Sequence, residues 1–138
     1  MQQPASPHPA ATGLLTIRGA AGAWGIPSSV VQGVESCDTQ DRTRALDVQA
    51  LLGAAPTTPG QASRIVVIQV RGRELRLLVH GVLALTETAS SNLLPLPPAV
   101  QSATPLLSHV AVVDGKPALF VLSPERLLEV AHVEDPNA

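Results

Sequence analysis

Hydrophobic positions along the chain fall into short alternating runs, punctuated by glycine and proline. The clearest run is RIVVIQVRGRELRLLVHGVLAL, residues 64–85. Val66, Ile68 and Val70 lie on one face of an extended segment, with Ile65, Val67 and Gln69 on the other. That two-residue period predicts a strand. Both its faces are largely apolar, so it is expected at the centre of a sheet, covered on both sides. Arg71-Gly72 supplies a tight reversal. The returning strand groups Leu75, Leu77 and Val79 opposite Arg76, Leu78 and His80.

The same reading orders the rest of the chain. GLLTIRGAAGAWGIP (13–27) is strand, glycine turn and strand, with Leu15 and Ile17 alternating against Thr16 and Arg18. Gly19 and Gly22 are placed in the turn because glycine tolerates positive φ. Trp24 and Ile26 share a face, and Pro27 ends the strand. PSSVVQGVE (27–35) predicts a turn and a short strand. DVQALLG (47–53) predicts one helical turn, capped by Asp47 and closed by Gly53. AAPTTPGQAS (54–63) and TETASSN (86–92) read as polar loops. LPLPPAV (94–100) is a connector stiffened by Pro95, Pro97 and Pro98, which lack ladder donors. HVAVVDGKPALFVL (109–122) predicts a second hairpin around Asp114-Gly115. SPERLLEVAHV (123–133) predicts a helix with Ser123 as cap, Pro124 in its first turn and Glu125 at its positive end. Leu127, Leu128 and Ala131 would pack that helix onto a sheet. The expected organisation is a disordered, Pro- and Ala-rich tail over 1–12, one domain over 13–132 and a flexible end over 133–138.

Composition narrows what such a domain can do. Apolar residues make up 45 % of the chain and aromatics only 1 %, Trp24 and Phe120. The core must therefore be aliphatic. A net charge of −2 marks neither a nucleic-acid footprint nor an acidic tail. Arginine outnumbers lysine, Lys116 alone, and with the abundant alanine this fits a GC-rich bacterial gene. A lone cysteine, Cys37, makes neither an intramolecular disulfide nor a thiol metal site. The N-terminus lacks the basic region and apolar stretch of a secretory signal, and no apolar run has spanning length. The protein is therefore expected to be cytoplasmic, with no membrane insertion.

No catalytic residue, metal site or cofactor is predicted. His8, His80, His109 and His132 have no metal-ligand spacing. GAAGAWG lacks the Gly-Lys-Ser/Thr ending of a phosphate loop. Asp38, Asp41 and Asp47 lack calcium-loop spacing. Ser90 and Ser91 have no nearby base. Arg71, Arg73 and Arg76 form a small basic cluster, read either as an exposed edge or as a dock for an acidic partner.

The order of these elements resembles the CheW-like coupling domain of bacterial chemotaxis systems. LLTIRGAAGAWGIPSSVVQGVE matches the family's opening strands and ALDVQALLG its "PVVDLxxLLG" element. RIVVIQVRGRELRLLVHGVLAL matches its "RVVVVExxGxxxGLLVDxV" hairpin, and LLPLPPAV its proline connector. HVAVVDGKPALFVLSPERLL matches its closing "GVAxxDGxxxxLLDxxxLL". The likeness extends over 13–130, and its specificity lies in the order of the motifs. Three departures stand out: the "GxxNLRG" signature is replaced by CDTQDRTRA, His80 stands where the family has Asp, and Ala45 where it has Pro.

The resemblance implies a mainly β fold, a pair of small SH3-like five-stranded β-barrels with a C-terminal helix. One lobe would be shortened for want of the signature strand, leaving an open edge. It also implies a non-catalytic adaptor that links a chemoreceptor signalling tip to the regulatory domain of a CheA-type histidine kinase. The deletion implies that receptor binding is kept and that kinase binding is weakened or gone. Within the family the shortened form is similar to an accessory adaptor of a gliding-motility chemosensory pathway. The residues expected at the partner surface are Val66, Ile68, Leu77 and Val79, as a groove between the lobes, with Arg71 and Arg73 beside it. Two other readings stay open: a small β-barrel module binding an unrelated peptide or ligand, and an enzyme whose site is assembled from distant residues.

Overall fold

The structure, a computed structural model, describes residues 11–19, 22–36, 45–53, 63–112 and 118–134. Its strands are β1 (Ala11–Arg18), β2 (Ala23–Pro27), β3 (Val31–Ser36), β4 (Leu46–Asp47), β5 (Arg64–Val70), β6 (Arg73–Val79), β7 (Gly81–Ala89), β8 (Leu93–Pro95), β9 (Leu107–Ala111) and β10 (Leu119–Leu122). Three short helices, α1 (Val48–Leu51), α2 (Pro98–Ala103) and α3 (Pro124–Glu134), complete it. The strands form a six-stranded sheet, β7-β1-β2-β10-β9-β8, and a four-stranded sheet, β3-β5-β6-β4.

The β5–β6 hairpin is the centre of the molecule. β5 lies between β3 and β6, and Val66 pairs with Leu77 and Ile68 with Leu75. One face puts Val66, Ile68, Val70, Leu75, Leu77 and Val79 into the main core, with Ile17, Ile26 and Leu122 of the other sheet and Leu127 of α3. The other face gathers Ile65, Val67 and Leu78 under Ala45. Covering on both sides is what the apolar run predicts. The reversal holds Arg71 at φ 51° and Gly72 at φ 76°. Positive φ at both central residues is the mark of a type I′ turn, whose twist suits paired strands.

Local signals are realised at both predicted helices. In α1 the Asp47 carboxylate accepts from the Ala50 N–H at 3.4 Å, and Gly53 closes the turn at φ 89°. In α3 the Ser123 hydroxyl accepts from the Arg126 N–H at 3.3 Å.

The structure departs from the sequence reading at several points. The run through residue 85 is two strands after the turn: β6 ends at Val79, and after His80 the chain enters the other sheet, where β7 pairs with β1. The His80 N–H donates to the Arg18 carbonyl at 2.9 Å, fixing that crossing. β7 then continues to Ala89, so Thr86–Thr88 are strand and not loop, held by the β1 ladder despite their polarity. β1 begins at Ala11, inside the stretch assigned to the tail, because Ala11 pairs with Ala89. The proline connector contains both a strand and a helix. β8 is an end strand, where a proline does least harm, and α2 starts at Pro98, whose fixed φ suits a first turn. α3 extends to Glu134. The strands divide six and four between the two sheets, and the smaller sheet is the one whose strands β3 and β4 flank, in sequence, the stretch that replaces the signature. The tail 1–10, Cys37, the bridge to residue 44 and the Asp114-Gly115 turn lie outside the described residues.

Gly19 and Gly22 hydrogen-bond across the first turn, Gly19 N–H to Gly22 carbonyl at 2.8 Å. Neither has positive φ; among the described glycines only Gly53 and Gly72 do. What Gly19 supplies is room. A Cβ there would lie 2.5 Å from Cζ3 of Trp24, an impossible contact. Gly19→Ala should therefore cost about 1–3 kcal/mol through overpacking. In a Trp24→Leu background the same change should cost less than about 1 kcal/mol, and denaturant unfolding of the four proteins in that cycle measures the coupling.

Candidate functional site

The four apolar residues expected to line a groove are core. Val66, Ile68 and Leu77 are 0 % exposed and Val79 is 3 % exposed. The six-stranded sheet, Val48 of α1 and Leu127 of α3 fill the space against them. This corrects the placement: the alternation identified the right face, but that face is consumed in joining the two sheets and offers a partner nothing.

The hairpin arginines are at the surface, and two of the three already have carboxylate partners. Arg71 pairs with Glu125 in the first turn of α3. Arg76 donates to Glu35 of β3 at 2.6 Å and lies 3.9 Å from Glu74. Arg73 has no ion pair among the described residues. The cluster is thus largely neutralised within the chain, and the exposed pairs add little stability.

The six-stranded sheet carries the surface that the sequence reading missed. Leu94 pairs with Val110, Val110 with Phe120, and Phe120 with Trp24. Directly paired residues point to the same side of a sheet, so these four make an apolar row across β8, β9, β10 and β2. Exposed and half-buried residues alternate along the row. Leu94 is 47 % and Phe120 41 % exposed, whereas Val110 and Trp24 are half-buried and pack against the core. Val112, two residues beyond Val110 on the same side, is also exposed. Trp24 itself is anchored over Gly19.

Polar chemistry is sparse by comparison. Among the described residues no group of three His, Cys, Asp or Glu side chains could hold a metal. His109 Nδ1 contacts the neighbouring Ser108 hydroxyl at 2.8 Å. His80 Nε2 and Thr88 Oγ1 are buried without hydrogen-bond partners. They flank opposite ends of β7 and converge on nothing. The arrangement can bind an apolar surface; among the described residues it presents no nucleophile with a base.

A sequence model of the CheW-like domain matches residues 40–132, well over half of the chain. The chain belongs to the CheW-like domain family. The family match begins after β3. Fifteen chains of solved structures match. One is the scaffolding protein TtCheW from Thermoanaerobacter tengcongensis, with a TM-score of 0.67 and 15 % identity over 83 % of this chain and 90 % of that chain. At such low identity the likeness is one of fold. No curated protein sequence matches. The CheW-like fold is mainly β, in two sheets, and no helix of the described residues is long and apolar enough to cross a membrane.

Separation of core from surface in this CheW-like domain is measurable. Leu77→Ala should lose about 2–5 kcal/mol, since it empties a fully enclosed site. Arg73→Ala should stay within about 0.5 kcal/mol of the parent. Urea midpoints of the two variants would show the contrast.

Proposed function

We propose that this CheW-like chain is a non-catalytic adaptor of a bacterial chemosensory system, one that binds a chemoreceptor signalling tip and binds a CheA-type kinase regulatory domain weakly or not at all. Its short form fits an accessory adaptor, such as that of a gliding-motility pathway. The observation that carries this reading is the unequal equipment of the two sheets. The six-stranded sheet has an exposed apolar row centred on Phe120. The four-stranded sheet closes on the two-residue strand β4, paired only with Leu77 and Leu78, where the family has its signature strand. A helical receptor tip offers apolar side chains at a helical spacing, and a flat row of Leu94, Val110 and Phe120 is a fitting seat for it. An aromatic residue flanked by aliphatic ones is the usual make-up of an energetic hot spot. Arg73, and Arg71 beyond its bond to Glu125, would steer an acidic partner and set the salt dependence of its approach.

Side-by-side titrations with a receptor signalling-tip fragment and a kinase regulatory domain test this. Phe120→Ser should weaken receptor binding by at least about tenfold, the effect of removing one hot-spot side chain, while thermal unfolding shows the variant folded. The kinase domain should bind more weakly than it does to a full-length family adaptor. Equal kinase affinity for the two adaptors would overturn the reading, as would receptor binding indifferent to Phe120.

A further inference from the structure

We infer that Gly19 is a positioning residue for the Phe120 row. On the reading that this row seats a receptor tip, the missing side chain at Gly19 lets the Trp24 indole lie toward β1 and so leaves Phe120 free to dock. Trp24 and Phe120 are the only aromatic residues in the chain, yet the fold makes them register partners on the neighbouring strands β2 and β10. Strands so paired run about 5 Å apart, with partner side chains on one face. An indole leaning toward β10 would lie on the Phe120 ring and cover it. Phe120 is instead 41 % exposed, while Trp24 is half-buried against the core.

The indole leans the other way. β2 lies between β1 and β10, and Gly19 directly follows β1. Cζ3 and Cη2 of Trp24 fall 2.5 Å and 2.9 Å from where a Cβ on Gly19 would be. The far edge of the indole therefore fills the space that a side chain at position 19 would take. A second wall closes this notch: Oε1 of Gln49, in α1, lies 3.3 Å from the same point. Gln49 is buried, and Ile17, the β1 partner of Trp24, is fully enclosed.

These walls decide what a methyl group at position 19 would do. Gly19 does not have positive φ, so alanine suits the backbone and its effect is steric alone. With Gln49 and Ile17 held in the core, the indole is the group that yields, and β10 is the side left to it. It would swing to another rotamer beside Phe120. The shape of the row on the six-stranded sheet thus depends on a glycine outside that row and on a helix that follows β4 of the other sheet.

Titrations of the full chain with a receptor signalling-tip fragment test this, using Gly19→Ala, Trp24→Leu, their combination and Phe120→Ser. Gly19→Ala should weaken receptor binding by at least about threefold, within the range of coupling between side chains in contact. Leucine at position 24 needs no notch, so Trp24→Leu should bind within about twofold of the parent, and adding Gly19→Ala to it should change little more. That combination lacks the clash and stays readable where Gly19→Ala alone melts early. Trp24 is the sole tryptophan and reports its own position. Gly19→Ala should shift its emission to the red and increase its quenching by acrylamide, effects that a lower melting temperature alone would not give in the folded protein. Binding that is lost with Phe120→Ser but unchanged with Gly19→Ala would overturn the positioning role and leave the adaptor reading standing. A loss with Trp24→Leu as large as with Phe120→Ser would also overturn that role, because the indole would itself be the anchor. Binding indifferent to Phe120 would overturn both.

Discussion

The β5–β6 hairpin must be covered on both faces, and the rest of the molecule is arranged around that demand. Its strands carry apolar side chains on two sides, so each side needs a partner layer. With Trp24 and Phe120 as the only aromatic residues, no single large side chain can plug a gap. The layers must fit closely through many branched aliphatic contacts, where even one missing methylene is felt. One face is met by Ile17, Ile26, Leu122 and Leu127. The other, Ile65, Val67 and Leu78, has only Ala45 packed over it among the described residues. This bears on the shortened bridge. However much of the family's signature region is absent, the chain still returns to lay Ala45 over that back face and Leu46–Asp47 beside Leu77 and Leu78.

The same demand determines where function can lie. Side chains that join the two sheets are unavailable to partners, so the apolar residues that look most able to bind are the ones that cannot. Apolar exposure falls to positions left over at the margins of the six-stranded sheet. There the Leu94–Val110–Phe120–Trp24 row alternates exposed and half-buried residues across four strands. A surface residue in such a row is held in place by half-buried neighbours of the same row, which pack against the core. That rigidity lowers the entropy cost of docking.

Periodicity made the central hairpin legible, down to which residues share each face, because a two-residue repeat follows directly from strand geometry. Caps were legible too, since Asp47 and Ser123 act within three residues of themselves. What escaped was set at long range. The crossing at His80 depends on a carbonyl of Arg18, far away in sequence. The polar end of β7 is a strand only because β1 lies beside it. Arg71 and Arg76 meet carboxylates 54 and 41 residues away, so a basic cluster in the sequence becomes mostly paired charge in the fold. The candidate site suffered most. Leu94 and Phe120 stand in apolar runs just as core positions do, and no local signal tells which members of such a run the second sheet will cover.

Surface area then limits how many partners such a domain can hold. An interface of standard size takes about 800 Å² from each side, against 8007 Å² of accessible surface here. Area alone would allow several. Apolar exposure is the scarcer resource, and it is unevenly spread. Leu83, Leu85, Leu94 and Phe120 all lie on the six-stranded sheet, whereas Val34 is the one large exposed hydrophobic residue described on the four-stranded sheet. Interfaces draw most of their energy from a few buried apolar anchors and much less from rim charges. The lobe with one such anchor can contribute steering and small polar contacts, but its described residues lack the central cluster of a tight interface. In the proposed adaptor, a missing strand therefore weakens one coupling interaction while leaving the other sheet, and the core they share, intact.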